Sequence, residues 1–218
     1  MLDVLVAAAI EAGRAILEVA KGDVGLRRKA DESPVTAADA VAEAILTEAL
    51  RGAFADIAIV AEEAVAAGAS PPALGRRFFL VDPLDGTREF LAGNGEYTVN
   101  VALIADGRPV AGVVYAPALG EIFEGRLGEG AWAGRVDDDG TITERRPIAA
   151  RRHARDVPIV LASRSHCGEE TERLLAALGP HERIAAGSSL KFARLAEGTA
   201  DLYPRLGRTM EWDTAAGE

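Results

Sequence analysis

The chain has 218 residues, of which 49% are hydrophobic and 27% are charged, so it can bury the core of one large domain or two small ones. Its formal net charge of −10 argues against nucleic-acid polymers and anionic membrane surfaces as main partners. The single Cys167 excludes an intrachain disulfide and fits a reducing compartment.

The first residues do not have the composition of a targeting segment. Asp3 and Glu11 interrupt the apolar N-terminus, no basic leader precedes it, and no later stretch is long enough to span a bilayer. We therefore expect a cytoplasmic protein without a transmembrane segment. Peripheral association with the inner membrane and formation of a homodimer both stay open.

Helical and extended patterns alternate along the first half of the chain. Apolar residues at helical spacing predict a helix over Leu2–Ala20, and residues 26–35 are typical of a polar arm or hairpin. Thr36 predicts the cap of a second helix, which continues to about residue 54 with Val41 and Ala44 facing inward. Strands are then predicted over Ile57–Ala61, Phe78–Val81, Tyr97–Ile104, Pro109–Tyr115, Glu121–Gly125 and Gly130–Gly134.

The composition becomes basic and irregular around Arg145–Asp156. We place a domain boundary there, between an N-terminal α+β domain (residues 1–148) and a C-terminal α/β domain (residues 149–218). Strands and helices alternate in the second domain, which is typical of an α/β layer. Its predicted elements are strand Ile159–Ala162, helix Glu169–Leu178, strand Arg183–Ala186, helix Ser188–Glu197 and strand Asp201–Tyr203.

Two carboxylates follow the apolar strand Phe78–Val81. The strand leads directly into Asp82, and Asp85 comes three residues later, with Pro83 fixing the turn between them. Burying two like charges so close together is costly unless a cation lies between them. Mg²⁺ prefers carboxylate and carbonyl oxygens, and the Leu84 carbonyl lies in the same turn. The pattern therefore favours a metal site.

Further polar residues could support this site, and each also has a simpler structural explanation. Gly86 and Thr87 would offer free backbone N–H groups to a phosphate, while a hairpin turn explains the glycine equally well. The pair Glu62–Glu63 follows another strand, where open sheets gather ligands, but a solvated loop pair is the alternative. Asp213 and Asp39 both have positions at which a carboxylate caps a helix.

Together these residues resemble the inositol monophosphatase superfamily of Mg²⁺-dependent, lithium-sensitive phosphatases. Four segments resemble its signatures in the expected order, and they extend over nearly the whole chain: Lys29–Asp39, Glu62–Glu63, Asp82–Thr87 and Trp212–Gly217. The resemblance implies a mixed α/β (α+β) fold, a layered αβαβα sandwich of the inositol monophosphatase and fructose-1,6-bisphosphatase type.

Other segments resemble the CysQ branch of that superfamily, the 3′(2′),5′-bisphosphate nucleotidases. They are Ser33–Thr36, Arg88–Phe90, Asn94–Ile104, Ser163–His166, Gly187–Phe192 and Leu202–Arg205. This resemblance implies removal of the 3′-phosphate of adenosine 3′,5′-bisphosphate to give AMP in sulfur assimilation, with the sulfated nucleotide as a further substrate. Two alternatives stay open: an inositol or sugar phosphatase of the same superfamily, and a non-catalytic metal- or nucleotide-binding module.

The resemblance also implies residue roles. Two or three Mg²⁺ ions, with Li⁺ as an expected inhibitor, would be bound by Glu62, Asp82, the Leu84 carbonyl, Asp85 and Asp213. The catalytic residues would be Asp39, Thr87 and Glu62, with Asp39 and Thr87 orienting the attacking water. The substrate contacts would be Gly86, Thr87, His166, Ser188, Lys191 and Arg205. Taken singly, the two cations could instead be solvated charges, Ser188 a helix cap and His166 a loop residue.

The position of the fourth signature leads to one more expectation. The family continues beyond that signature, whereas this sequence stops at Glu218. We therefore expect an incomplete chain; if Glu218 were instead the true terminus, we would expect Asp213 to lie on an unsupported, fraying end.

Overall fold

A computed structural model describes residues 1–29, 33–69, 73–153, 155–164 and 168–218. The helices are α1 (Leu2–Ala20), α2 (Ala37–Ala53), α3 (Glu62–Ala66), α4 (Thr87–Ala92), α5 (Glu169–Leu178), α6 (Leu190–Ala196) and α7 (Glu211–Thr214). The strands are β1 (Arg27–Arg28), β2 (Pro34–Val35), β3 (Ala58–Ala61), β4 (Arg77–Asp85), β5 (Thr98–Ala105), β6 (Arg108–Ala116), β7 (Glu121–Arg126), β8 (Gly130–Val136), β9 (Ile142–Ile148), β10 (Ile159–Ser163) and β11 (Glu182–Ala186).

Strands β3 to β9 form one seven-stranded sheet in sequence order. The first pair, β3 and β4, is parallel, and every later neighbouring pair is antiparallel. Strands β10 and β11 form a separate parallel pair, and β1 and β2 form the predicted hairpin arm. Because β3 and β4 are parallel, the residues that follow β3 and those at the end of β4 lie at the same edge of the sheet.

Helices α1 and α2 pack together on one face of the large sheet. Leu5 and Ile16 of α1 and Leu46 of α2 are completely buried, in one core with Val99 and Val113 of the sheet. Full burial of a side chain of this size contributes about 1.5–3 kcal/mol relative to exposure. This apolar layer therefore fixes the start of α2, and with it the position of the residues that cap that helix.

Helix α6 lies between the two sheets. Leu190 and Ala193 pack in a cluster with Val114 of the large sheet, whereas Leu195 packs against the cluster of the small sheet, which includes Leu161. Helices thus flank the central sheet on both faces, and a second sheet lies beyond α6. Among the described residues, no helix combines the length and apolar composition needed to cross a bilayer.

The segment after α7 is packed rather than frayed. Ala215 is 6% exposed and belongs to a cluster with Leu80 of β4. The backbone of Ala216 lies so close to β6 that a Cβ on Gly112 would be 2.4 Å from the Ala216 carbonyl oxygen. The unsupported, fraying end considered for Asp213 is therefore not observed.

The strand that carries the paired carboxylates is longer than predicted. It does not end at Asp82, because β4 pairs with β5 as far as Asp85 and Thr98. A register shift separates the Asp82 and Asp85 pairings, and such irregularities redirect side chains at the end of a strand. Both carboxylates can therefore face the same edge of the sheet.

Three other predictions about elements were wrong or incomplete. Helix α2 buries Ala42 and Leu46, whereas Val41 is 42% exposed and Ala44 is also exposed. Strand β9 was predicted as irregular sequence, and the predicted strand Asp201–Tyr203 makes only an isolated bridge to β10. The division into two domains at residue 148 stays a prediction.

Candidate active site

A cavity of about 540 Å³ opens where β4, α3, the start of α6 and α7 meet. Its lining includes four of the predicted metal-ligating carboxylates, Glu62, Asp82, Asp85 and Asp213. It also includes the cations Lys29, Lys191 and Arg205 and the predicted phosphate contacts Gly86, Thr87 and Ser188. His166 lies outside the described residues. The structure thus brings most of the predicted site together around one cavity.

Asp82 is the most deeply buried carboxylate of the cavity, at 1% exposure. The Leu84 backbone N–H donates to its Oδ1 at 3.1 Å. Burial raises the pKa of Asp82 well above its usual range, and the negative charges of Glu62, Asp85 and Asp213 raise that pKa further. A cation next to this carboxylate would offset both burial and repulsion and so favour its ionised form.

Asp85 has a similar electrostatic environment at the end of β4. Burial raises the pKa of Asp85 to about 7, and the charge of Asp213 acts in the same direction. Lys191 opposes this shift, as does the Ser189 backbone N–H, which donates to Asp85 Oδ2. The Asp82–Asp85 pair therefore lacks full compensation from the protein's own cations.

Lys29 connects the β1–β2 arm to the start of α3. Its Nζ lies 2.6 Å from Glu62 Oε1 and 2.6 Å from Glu63 Oε1. Burial raises the pKa of Glu63 to about 7, although the hydrogen bond and charge of Lys29 oppose the shift. An unpredicted residue, Glu43, fixes this turn, because its carboxylate accepts from the Glu63 and Ala64 backbone N–H groups at 2.7 and 2.9 Å.

Asp39 caps a helix and also faces the predicted catalytic threonine. Its Oδ2 accepts from the Thr36 backbone N–H and from Thr36 Oγ1, both at 2.7 Å, which completes a capping box. Its Oδ1 accepts from Thr87 Oγ1 over a longer distance of 3.4 Å. Burial raises the pKa of Asp39, and the hydrogen bonds from Thr36 oppose this. Oδ2 of Asp39 therefore serves the helix cap, and Oδ1 faces Thr87, as the predicted catalytic role requires.

Replacing Thr36 with Ala is expected to lower the free energy of unfolding by about 1 kcal/mol, the typical effect of losing an N-cap side chain. The buried Asp39 carboxylate would also lose its hydrogen bond from the hydroxyl. Urea denaturation measures the change, and Thr36→Ser, which keeps the hydroxyl, serves as the matched control. Equal stability of the Ala and Ser variants would contradict the capping role.

Gly86 allows two segments of the cavity wall to approach closely. It precedes α4 with φ of +90°, a left-handed conformation that favours glycine. A Cβ at this position would lie 3.2 Å from Ser188 Cβ and 3.3 Å from both Glu89 Oε2 and the Glu96 carbonyl oxygen. The alternative of a hairpin turn is not observed, since a helix follows at once.

Two cations line the side of the cavity formed by α6 and the segment before α7. Lys191 is 4% exposed, donates to the Ser188 carbonyl and lies 5.3 Å from the Tyr203 ring centroid. Burial lowers the pKa of Lys191, and the nearby charge of Arg205 acts in the same direction. Arg205 donates to Thr209 Oγ1 at 3.1 Å. Lys191 is therefore not the solvated charge that the sequence left open as an alternative.

The described residues could hold a metal ion only after their side chains rearrange. Among them, no three His, Cys, Asp or Glu side chains are grouped closely enough to hold a metal as they stand. Glu62 already forms an ion pair with Lys29. Asp85 and Asp213 each accept a hydrogen bond from a backbone N–H group, which for Asp213 is that of Met210 at 3.0 Å. The donor chemistry nevertheless fits Mg²⁺, because hard oxygens that repel one another line a single cavity. The ligand set stays a prediction.

Known proteins match this chain over its whole length. The family model described as "Inositol monophosphatase family" matches residues 1–218. A Salmonella typhimurium protein named 3′(2′),5′-bisphosphate nucleotidase CysQ is 46% identical over 226 residues, covering 100% of this chain and 85% of the relative. A Shigella flexneri protein of the same name is 44% identical, with the same coverage of both chains.

A solved structure is similar in three dimensions. The crystal structure of CysQ from Bacteroides thetaiotaomicron, described as a bacterial member of the same family, superposes with a TM-score of 0.81. It is 37% identical in sequence, and the match covers 99% of this chain and 83% of that one. The mixed α/β fold class predicted from the sequence is thereby confirmed.

Proposed function

Because this chain belongs to the inositol monophosphatase family, we propose that it is a Mg²⁺-dependent 3′(2′),5′-bisphosphate nucleotidase. In this proposal it removes the 3′-phosphate of adenosine 3′,5′-bisphosphate and releases AMP and inorganic phosphate. One observation carries the proposal: the cluster of carboxylates shares its cavity with two neighbouring cations, Lys191 and Arg205. A substrate with two phosphate groups matches both ends of such a cavity. The relatives named CysQ support the same assignment.

The acidic end of the cavity is where the reacting phosphate would lie. The proposed ligands Glu62, Asp82, the Leu84 carbonyl, Asp85 and Asp213 would hold two or three Mg²⁺ ions. When bound, these ions would activate the attacking water and neutralise charge on the phosphoryl and leaving oxygens. These carboxylates supply the negative charge that selects divalent cations, and burial removes water that would screen it. We expect Li⁺ to inhibit.

Asp39 and Thr87 provide a route for the proton of the attacking water. The Thr87 hydroxyl faces Asp39 Oδ1, while Thr36 occupies Asp39 Oδ2. When Thr87 Oγ1 accepts a proton from the water, its own proton passes to Asp39 Oδ1. The water oxygen then forms the new bond to phosphorus as the bond to the ribose 3′ oxygen breaks. The departing 3′ oxygen takes up a proton from solvent, and Asp39 later returns its proton to solvent. The backbone N–H groups of Gly86 and Thr87 would bind the phosphoryl oxygens.

The cationic end of the cavity would bind the 5′-phosphate. Lys191 and Arg205 are close enough for the charge of Arg205 to lower the pKa of Lys191, although the charges of Asp85 and Glu89 raise it, and a bound anion would further favour both cations. A phosphate group is such an anion, and charge-assisted hydrogen bonds to it are stronger than neutral ones. Ser188 lines the cavity beside these cations. A role for His166 at this end stays a prediction.

The test compares substrates under controlled metal conditions. We expect phosphate release from adenosine 3′,5′-bisphosphate to require Mg²⁺, to stop in EDTA and to be inhibited by Li⁺. Inositol 1-phosphate should be a much poorer substrate. Preferential hydrolysis of inositol 1-phosphate would instead assign the chain to the inositol phosphatases. Absence of Mg²⁺-dependent release from any of these substrates would favour a non-catalytic binding module.

Lys191→Ala is expected to raise KM for adenosine 3′,5′-bisphosphate by about 10- to 100-fold, since a hydrogen bond to a charged group contributes about 1.5–3 kcal/mol. KM for adenosine 3′-monophosphate, which lacks the 5′-phosphate, should change much less. Steady-state kinetics on both nucleotides measures the difference. Lys21→Ala is the control, because Lys21 is exposed and bonded only to Glu18 among the contacts described. An equal increase in KM for the two nucleotides would show that Lys191 does not determine specificity for the 5′-phosphate.

A further inference from the structure

Glu96 and Arg164 form a paired contact just outside the cavity. Glu96 lies in the loop between α4 and β5, and Arg164 follows the end of β10. Arg164 Nε donates to Glu96 Oε2 at 3.0 Å, and Nη2 donates to Oε1 at 2.9 Å. This two-point geometry fixes the carboxylate and guanidinium planes relative to each other more tightly than a single contact does.

The same two side chains also bind the backbone at the end of β11. Glu96 Oε2 accepts from the Gly187 N–H at 2.8 Å, and Arg164 Nη2 donates to the Ala185 carbonyl at 3.0 Å. The Arg164 backbone N–H donates to the Ala186 carbonyl at 3.1 Å. One ion pair therefore connects the loop after α4 with the ends of the two parallel strands β10 and β11.

The backbone held in this way leads directly into the residues that line the cavity. Gly187 lies so close to the loop after α4 that a Cβ there would be 2.5 Å from Glu89 Cγ and 2.7 Å from the Glu96 carbonyl oxygen. Ser188 follows with φ of +45°, an uncommon conformation for a residue with a side chain. The segment Gly187–Lys191 is thus held in one conformation by its contacts rather than by its local preference.

The other end of this segment is bound to the strands that carry the carboxylates. The Ser189 N–H donates to Asp85, and Ser189 Oγ contacts Thr98 Oγ1 and Asn100 Oδ1, both at 2.7 Å. Lys191 comes two residues later, with its Nζ bonded back to the Ser188 carbonyl. The position of the Lys191 charge therefore depends on both anchors of the segment.

We propose that Glu96 and Arg164 are positioning residues that determine specificity for the second phosphate, by holding the segment Gly187–Lys191 against the loop after α4. The proposal rests on the proposed bisphosphate nucleotidase function. Neither side chain belongs to the described lining of the cavity, so the pair acts through the segment. Because Arg164 is half-exposed, the Glu96–Arg164 ion pair adds little to the free energy of unfolding. In this proposal the main effect of the pair is to position Lys191.

The test uses the conservative variants Glu96→Gln and Arg164→Lys of the full chain, each of which can keep a hydrogen bond between the two positions but loses the two-point contact between carboxylate and guanidinium. Each should raise KM for adenosine 3′,5′-bisphosphate about tenfold, with kcat within about twofold and KM for adenosine 3′-monophosphate nearly unchanged. Amide hydrogen exchange at Gly187 and Ser189 should become about tenfold faster. The double variant should be no worse than either single variant, since both remove the same contact.

Arg183→Lys provides the matched control. Arg183 also makes a two-point contact, with Glu172 at 2.7 and 2.8 Å, but it connects β11 to α5 instead of to the segment beside the cavity. Unchanged exchange at Gly187, or equal KM increases on both nucleotides, would overturn the inference. If the wild-type protein releases no phosphate from the bisphosphate, the proposed function fails, and the exchange experiment still decides whether the pair holds the segment.

Discussion

Asp85→Asn is expected to reduce phosphate release from adenosine 3′,5′-bisphosphate by about 10³-fold while the protein stays folded. The substitution removes a charged oxygen ligand, and metal ions contribute several kcal/mol to reactions of this kind, with each 1.36 kcal/mol worth a factor of ten. Asn has the same shape, and its side-chain oxygen can still accept from the Ser189 N–H. Loss of the charge also removes repulsion from Asp213, so the metal-free variant should be at least as stable as the wild type.

Two measurements separate this effect from a loss of structure. The rate of phosphate release at saturating Mg²⁺ reports the chemistry, and the thermal midpoint in EDTA reports folding. Asp56→Asn is the matched control, because Asp56 is exposed in the turn before β3. Near-normal turnover of the Asp85 variant would contradict its place in the ligand set. An unfolded variant would show that Asp85 has a structural role instead.

Much of this arrangement could be predicted because its signals are local in sequence. Helix α1 has the predicted bounds, Leu2–Ala20, since its apolar stripe is continuous and residues 21–25 interrupt the pattern. Thr36 and Asp39 form the predicted capping box, which depends only on residues three apart. Glu62, Asp82 and Asp85 could be located because they follow the short apolar segments that form β3 and β4. Asp213 follows no such strand, and only the resemblance to the family indicated that it belongs to the site.

The features that were missed depend on tertiary contacts or on weak patterns. Strand β9 is the last strand of the sheet, and its exposed charges, including Arg145 and Arg146, hide the alternation that identifies a strand. In helix α2 small alanines alternate with polar residues, so the inward face was assigned one residue away from Ala42. The Lys29–Glu62 pair joins residues 33 positions apart, and no local pattern predicts such a contact.

Glu43 is an intermediate case. It comes four residues after Asp39 on α2, so the two side chains share a helix face that points toward the site. This spacing could have identified Glu43 from the sequence. Its particular task, accepting from two backbone N–H groups at the start of α3, could not have been predicted because it requires the packing of α2 beside β3.

Mg²⁺ is expected to stabilise the protein, and more strongly at pH 8 than at pH 5.5. Burial raises the pKa of both Asp85 and Glu63 to about 7, well above the value of about 4 in an unfolded chain. A raised carboxyl pKa means that the folded state binds more protons, so stability falls as pH rises from about 4 through about 7. At pH 8 both groups are ionised in the folded state, and the repulsion of Asp85 by Asp213 and of Glu63 by Glu62 is present in the metal-free protein.

Thermal unfolding with and without the metal measures this coupling. A ligand at 100 times its Kd stabilises the folded state by about 2.7 kcal/mol, which for a chain of this size corresponds to a Tm increase of about 5–10 °C. At pH 5.5 the increase should be much smaller, because protons compete with Mg²⁺ for Asp85, which is one of the proposed ligands. Asp85→Asn should lose most of the increase at both pH values. NaCl at matched ionic strength is the control, and an equal effect of NaCl, or a larger Mg²⁺ effect at pH 5.5, would show that the cavity does not select a divalent cation.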